Sequence, residues 1–259
     1  MKKLLILRSA ALAASLVTMS FASLASDTTS WNFTTYSTQF GSGYSYGNEL
    51  NFSSADNDLT VTAWADTRDN SNPDTIQTAL AAHNSHGLLN YNRDEGSSQH
   101  YVDNYGEETD MLLFTFDELV SITGLDIGWY SNDSDISIAA FDSSNSASAP
   151  SLVGKTWAQV AEDAIFKTSI NNAVVNGTSF ASLTAEQGIE SKYWIIGAYN
   201  SSFGTGSDNW SDKLKIAGIT TVAGVGPDPK PPTDVAEPSS LAVLASFGLF
   251  AAWRRRKSA

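Results

Sequence analysis

Short segments in which apolar and polar residues alternate, each bounded by turn-forming residues, constrain this chain more than anything else in it. Trp31-Asn32-Phe33-Thr34-Thr35 and Leu59-Thr60-Val61-Thr62-Ala63-Trp64 alternate with period two. That is the pattern of strands with one face on a core and one in water. Residues 111–116 are apolar on both faces, as a central strand would be. Leu125, Ile127 and Trp129 are expected on one face, and Ile136, Ile138 and Ala140 repeat the pattern after a short polar turn. Residues 193–199 and 214–222 read as late strands, the latter closing the domain. Gly, Ser, Asn and Asp fill the links, where turns favour them. Strands at this spacing predict an all-β fold, a single β-sandwich or jelly-roll-like domain.

One or two short helices are expected to interrupt the strands. Over residues 156–166, Trp157, Val160, Ala161, Ala164 and Ile165 fall on one stripe, and Thr156 and Gln159 are spaced as a capping box. Residues 75–83 read as a second, shorter helix. No internal repeat with a fixed period is found.

The folded part covers residues 26–225, long enough to bury a real core. It holds seven Lys and Arg against 25 Asp and Glu, a net charge of −18. The whole-chain value of −13 is smaller because the two ends carry much of the basic complement. So acidic a surface repels nucleic acid and anionic membranes, and it suits divalent cations. Cysteine is absent. Disulfides, thiol chemistry and thiolate metal sites are therefore excluded, and stability must come from packing, to which bound ions could add.

The ends read as signals rather than as structure. Lys2, Lys3 and Arg8 precede an apolar stretch that finishes at Ser23-Leu24-Ala25, the order of a secretory signal peptide over residues 1–25 with cleavage after Ala25. Residues 226–234 form a proline-rich, semi-extended linker. Beyond it, residues 235–259 join a polar motif, an apolar run and a basic cluster, Arg254-Arg255-Arg256-Lys257. The apolar residues 241–253 reach only about 20 Å as a helix, or about 24 Å counted from Pro238, against a hydrocarbon core of about 30 Å. The four cations can snorkel to the interface and would be held on the cytoplasmic side. These features predict a membrane segment over residues 239–253, with the N-terminus outside and the C-terminus inside.

This tail resembles the PEP-CTERM sorting signal of Gram-negative bacteria, which a membrane protease of the exosortase type recognises and processes. Ala236 stands where that motif has its first proline, leaving Ala236-Glu237-Pro238. The resemblance implies that these residues are the recognition element, that the apolar segment is a transient anchor, and that an exosortase is the processing partner. The stretch His100-Tyr101-Val102-Asp103-Asn104, followed by the Asp-led apolar run at Asp110, is similar to the body of one group of exosortase-dependent surface proteins. That similarity implies a surface location rather than an activity.

Catalytic signals are weak. Gly43-Tyr44-Ser45-Tyr46-Gly47 fits G-x-S-x-G, but a nucleophile elbow needs a buried strand before it and a helix after it. The three histidines, His83, His86 and His100, lack the spacing of a zinc site. His100 near Asp103 has the composition of an acid–base pair, as does a histidine bonded to a nearby turn. No residue is assigned a catalytic role. Hard-oxygen clusters point to calcium instead: Asp133-x-Asp135, Asp103-Asn104 with Asp110, and Asp56-x-Asp58. None is an EF-hand. The loop over residues 132–135 is favoured, with Asp133 and Asp135 as ligands, because strands on both sides would hold its ends. Tyr44, Tyr46 and Trp210 are candidates for stacking on sugar rings. The expected function is that of an exported, exosortase-processed cell-surface or extracellular-matrix protein, associated with exopolysaccharide or biofilm and without catalytic activity. A carbohydrate-binding module of the matrix is the alternative, and an extracellular glycan-active enzyme the third class.

Overall fold

A computed structural model describes residues 28–35, 45–69, 72–93, 100–143, 148–173, 180–182, 188–205 and 211–224. The expected signal peptide (residues 1–25), linker (226–234) and sorting tail (235–259) lie outside these residues. No helix among the described residues is long and apolar enough to cross a membrane.

The fold is mostly β. Strands β1 (Thr28–Asn32), β2 (Glu49–Ser53), β3 (Asp58–Asp69), β4 (Asn72–Thr78), β5 (Leu80–Asn84), β6 (Gly87–Tyr91) and β7 (Val102–Asp103) come first. A 3-10 turn at Tyr105–Glu107 leads to the long β8 (Asp110–Asn132), then β9 (Ile136–Phe141) and helix α1 (Trp157–Asp163). Strands β10 (Ala164–Ile170), β11 (Phe180–Ser182), β12 (Ser191–Ala198) and β13 (Asp212–Ala223) complete the order. All strand ladders are antiparallel and belong to one hydrogen-bonded sheet, whose main path runs β10-β9-β12-β8-β13-β6-β5.

Strand β8 organises the sheet because its two halves have different neighbours. Residues 110–116 lie between β3 and β12, whereas residues 120–132 lie against β13, with β11 on the other side at residues 124–126. The exposed Asp117 and Glu118 separate the halves. Strand β1 pairs only with β13, yet Trp31 meets Phe116 edge-on at 5.7 Å. Phe33, just past β1, meets Phe114 at 6.1 Å and Phe52 at 4.9 Å. Rings carried by one half of the sheet thus pack on the other half, and Leu112, Phe114, Ile138, Trp194, Leu125 and Ile216 join them in one apolar cluster. Burial of several large rings of this kind, at about 25 cal/mol per Å² of apolar surface, replaces the missing disulfides as the source of stability.

The opposite face of residues 111–113 is also covered. Met111, Leu113, Ala139, Phe141, Tyr193 and Ile195 pack with Trp157, Val160 and Ala161 of α1 and with Phe203. Strand β9 is accordingly buried along its full length, and residues 111–116 form the central strand that their two-sided apolarity predicted. Helix α1 starts with the expected capping box: Gln159 N–H donates to Thr156 Oγ1, and Thr156 N–H donates to Gln159 Oε1.

Three expectations are corrected. The helix expected to run to residue 166 ends at Asp163, where Ala164 turns extended and opens β10. Counting in twos from there puts Ile165 outward, 53% exposed, and Phe166 inward, edge-on to Trp194. Residues 75–83 are not a helix but parts of β4 and β5. Distant backbone partners override their local preference: Ile76 N–H donates to Lys155 O, Ala79 N–H to Ala63 O, and Ala81 N–H to Asn48 Oδ1.

The third correction concerns Trp129. The register pairs Ile127 with Ile216 and Trp129 with Lys215, so Gly128 is an extra residue on β8. This bulge turns Trp129 away from the face that buries Leu125 and Ile127 and onto the face of Lys215. Glycine is required there, since a Cβ would stand 2.2 Å from His86 O, in the turn between β5 and β6.

Candidate metal centre

The link from β8 to β9 is short, and its ends are fixed by ladders on both sides. Asn132 adopts φ 67°, a left-handed conformation that asparagine tolerates better than most residues. The chain then reverses, and Asp133 N–H donates to Ser131 O at 3.0 Å. Asp133 also bridges to Asp212, the first residue of β13, which ladder pairing sets opposite Asn132. Asp133, Asp135 and Asp212 are all buried, with one carboxylate oxygen of each within 4.8 Å of the others. No other group of three His, Asp or Glu side chains gathers this closely among the described residues.

Hydrogen bonds hold each carboxylate in place. Asp133 Oδ1 accepts from Ser134 N–H at 2.7 Å, and Asp135 Oδ1 from Asn172 N–H at 2.6 Å. Asp212 Oδ1 accepts from Asp135 N–H at 2.8 Å, and its Oδ2 from Asn104 Nδ2 at 2.6 Å. Asn104 Oδ1 in return accepts from Asp212 N–H at 2.7 Å, so the asparagine clamps both ends of that residue. Tyr199 N–H donates to Asp135 O and Ala173 N–H to Ser134 O, so the loop's carbonyls are tied to neighbouring segments as well.

The electrostatics follow from burial. Desolvation pushes the Asp212 carboxyl up from its ordinary 3.8 to about 7. The Asp135 N–H and the Asn104 amide pull it down, while the charges of Asp135 and Asp133 push it up. Two like charges at 4.8 Å repel by about 3 kcal/mol at an effective dielectric of about 20. Three carboxylates this close are stable with a shared proton or with a cation. Their hard oxygens on short loops are the donor set of calcium rather than of zinc.

The residues singled out in the sequence are distributed unevenly over this site. Asp133 and Asp135 stand together in it. Asp103 does not: it is buried beside Lys213, and its Oδ1 accepts from Tyr105 N–H. Its neighbour Asn104 is the one that enters the cluster, through Asp212. Asp110 pairs with Ala65 at the head of β8, and Asp56, in the turn between β2 and β3, and Asp58, the first residue of β3, are exposed. Asp212 carries no local signal, since it comes from the far end of the chain and is delivered only by the β8–β13 register.

The remaining candidates are scattered. Ser45 O accepts from Asn48 N–H in a turn that leads into β2 rather than into a helix. His83 is buried in β5, His86 lies exposed in the following turn, and His100 sits against Tyr91 with ring centres 3.8 Å apart. Burial lowers the pKa of His83, and burial with the nearby Lys215 lowers that of His100. Tyr46 is exposed, with Arg93 above its ring at 4.5 Å. Tyr44, Trp210, the motif Ala236-Glu237-Pro238 and the basic residues Arg254, Arg255, Arg256 and Lys257 lie outside the described residues. No protein-family model matches the chain, and comparison with curated proteins and with solved structures likewise finds no match.

Proposed function

We propose that the chain is an exported, exosortase-processed protein of the cell surface or extracellular matrix, associated with exopolysaccharide and without catalytic activity. The order of the tail carries this reading: Ala236-Glu237-Pro238, an apolar segment, then Arg254 to Lys257. Its PEP-CTERM resemblance makes an exosortase the processing partner and the apolar segment a transient membrane anchor. The domain's geometry supports it, because β1 and β13 are partners and the described residues near the two signals, Thr28 and Val222, lie side by side. A precursor held in the membrane at both ends could fold between them without unpairing either strand. The sheet folded over a shared core supports the finer reading of a β-sandwich of jelly-roll type.

Calcium belongs to the same reading. Three buried carboxylates within 4.8 Å of one another suit a divalent ion, and a domain of net charge −18 gains from neutralising them. Asp133, Asp135 and Asp212 would hold the ion, and its role would be to stabilise the fold. Intact-mass measurement of both ends of the mature protein, with its cell fraction recorded, tests the sorting reading. New termini after Ala25 and near Glu237-Pro238 are expected. A C-terminus still carrying Arg254 to Lys257 in a host with an active exosortase would overturn it.

A further inference from the structure

The outward face of β13 carries a second arrangement that neither the sorting reading nor the acidic cluster uses. Lys213 and Lys215 are two residues apart on this strand and project on the same side, about 7 Å from one another along it. Trp129, turned outward by the bulge at Gly128, is the cross-strand partner of Lys215. Tyr101, just before β7, stacks on Trp129 with ring centres 4.7 Å apart and planes at 12°. Lys215 Nζ lies 5.3 Å from the Tyr101 ring and 5.5 Å from the Trp129 ring, and Lys213 Nζ lies 4.3 Å from the ring of Tyr105. Tyr105 is 63% exposed, the most open of the large apolar side chains among the described residues.

The charge placement is unusual for this domain. Seven Lys and Arg face 25 Asp and Glu over residues 26–225, yet two of the seven stand side by side here. Both lie over aromatic rings, and neither forms an ion pair with an exposed carboxylate among the described residues. Asp103, buried beside Lys213, is the acid that Lys213 reaches. Burial lowers the pKa of Lys215, so an anion arriving at its ammonium would restore what desolvation removes. Aromatic rings beside fixed cations meet two needs at once: the C–H faces of a sugar pack on the rings, and its carboxylate or sulfate meets the ammonium groups.

We infer that Tyr101, Tyr105, Trp129, Lys213 and Lys215 form a binding surface for an acidic polysaccharide, one whose sugars carry carboxylates. The inference rests on the matrix reading above and names the face through which the protein would hold that matrix. Single-stranded nucleic acid also combines stacking with negative charge; the matrix reading favours the polysaccharide, and oligo-dT is the probe that separates the two.

The test uses the purified full-length chain and three probes: polygalacturonate, neutral dextran and oligo-dT. Polygalacturonate is expected to bind and to weaken as salt is raised, with little binding of dextran. Lys213→Gln with Lys215→Gln should weaken polygalacturonate at least tenfold. Tyr105→Ala, at an exposed position that cannot unfold the core, should weaken it several-fold with an unchanged melting temperature. Equal binding of dextran and polygalacturonate would remove the charge argument. Tighter binding of oligo-dT would make the surface a nucleic-acid one. Unchanged polygalacturonate binding in both variants would overturn the site. Cell fractionation separates this inference from its premise: a wild-type chain absent from the matrix fraction defeats the matrix reading, whereas variants retained there like the wild type defeat only this surface.

Discussion

Thr28, the first residue of β1, pairs with Val222, one residue before the end of β13. The pairing continues through Trp31 and Ile219 to Asn32 and Gly218, and Trp31 Nε1 donates to Thr221 Oγ1 at 3.0 Å. The domain is thus closed by its own two ends. Trp31 fastens that closure, because its ring also meets Phe116 in the folded-over half of the sheet.

Trp31→Ala removes a buried ring, its edge-on contact and a buried hydrogen bond together. It is expected to cost about 3–5 kcal/mol, as large-to-small core changes do. Urea unfolding followed by tryptophan fluorescence measures this. A loss below about 1 kcal/mol would mean that β1 is dispensable to the fold.

On the proposed sorting reading, the parts of the tail act in order. Deleting residues 254–257 would, on that reading, remove the cations that hold the apolar segment against the cytoplasmic face. The chain should then be secreted unprocessed or mis-sorted in a host with a matching exosortase. Ala236→Pro should leave processing intact or improve it. Normal processing of the deletion, read from the mass of the C-terminal peptide, would show that the basic cluster is not part of the signal.

Helix α1 allows a paired comparison. Trp157 is buried against Phe203, and its Nε1 donates to Thr109 O at 3.2 Å, whereas Ile165 two residues beyond the helix is exposed. Trp157→Ala is expected to cost about 3–5 kcal/mol, and Ile165→Ser no more than about 0.5 kcal/mol. Similar costs for the two would restore the longer helix that the apolar stripe suggested.

What was legible in the sequence had a local cause. Residues 111–116 are apolar on both faces because both are covered, and Thr156 with Gln159 announces a helix start through a motif four residues long. What was not legible depends on register. Nothing near Gly128 indicates that β8 gains a residue against Lys215 and Ile216, so alternation alone misplaces Trp129. The run around Ala79 to Ala82 looks helical until Ala63 and Asn48 supply its hydrogen bonds. Asp133 and Asp135 could be proposed from their spacing and strand-held loop. Asp212 could not, because only the β8–β13 ladder brings it there.

The acidic cluster should make stability depend on pH and calcium in linked ways. Asp212 has a folded pKa of about 7 against an ordinary 3.8, so between these values the folded state holds a proton that the unfolded state has released. Protonation therefore favours folding. The contribution is fully present below about pH 4 and is lost as pH rises through 7. Burial raises Asp103 as well, and with the same sign. In chelator, the full-length chain is expected to melt at a lower temperature at pH 8 than at pH 5.5, and Asp212→Asn should shrink that difference. Calcium bound there would take the place of the proton, so its benefit should be largest at pH 8. At ten times a dissociation constant of roughly 0.1–1 mM, it would add about 1.4 kcal/mol. Equal magnesium should do less, because a small octahedral ion fits a pre-set carboxylate triangle poorly. Asp133→Asn with Asp135→Asn should abolish the calcium–magnesium difference. Equal shifts from the two ions, or a calcium shift that survives the double substitution, would mean that the ions only screen the charge of the domain.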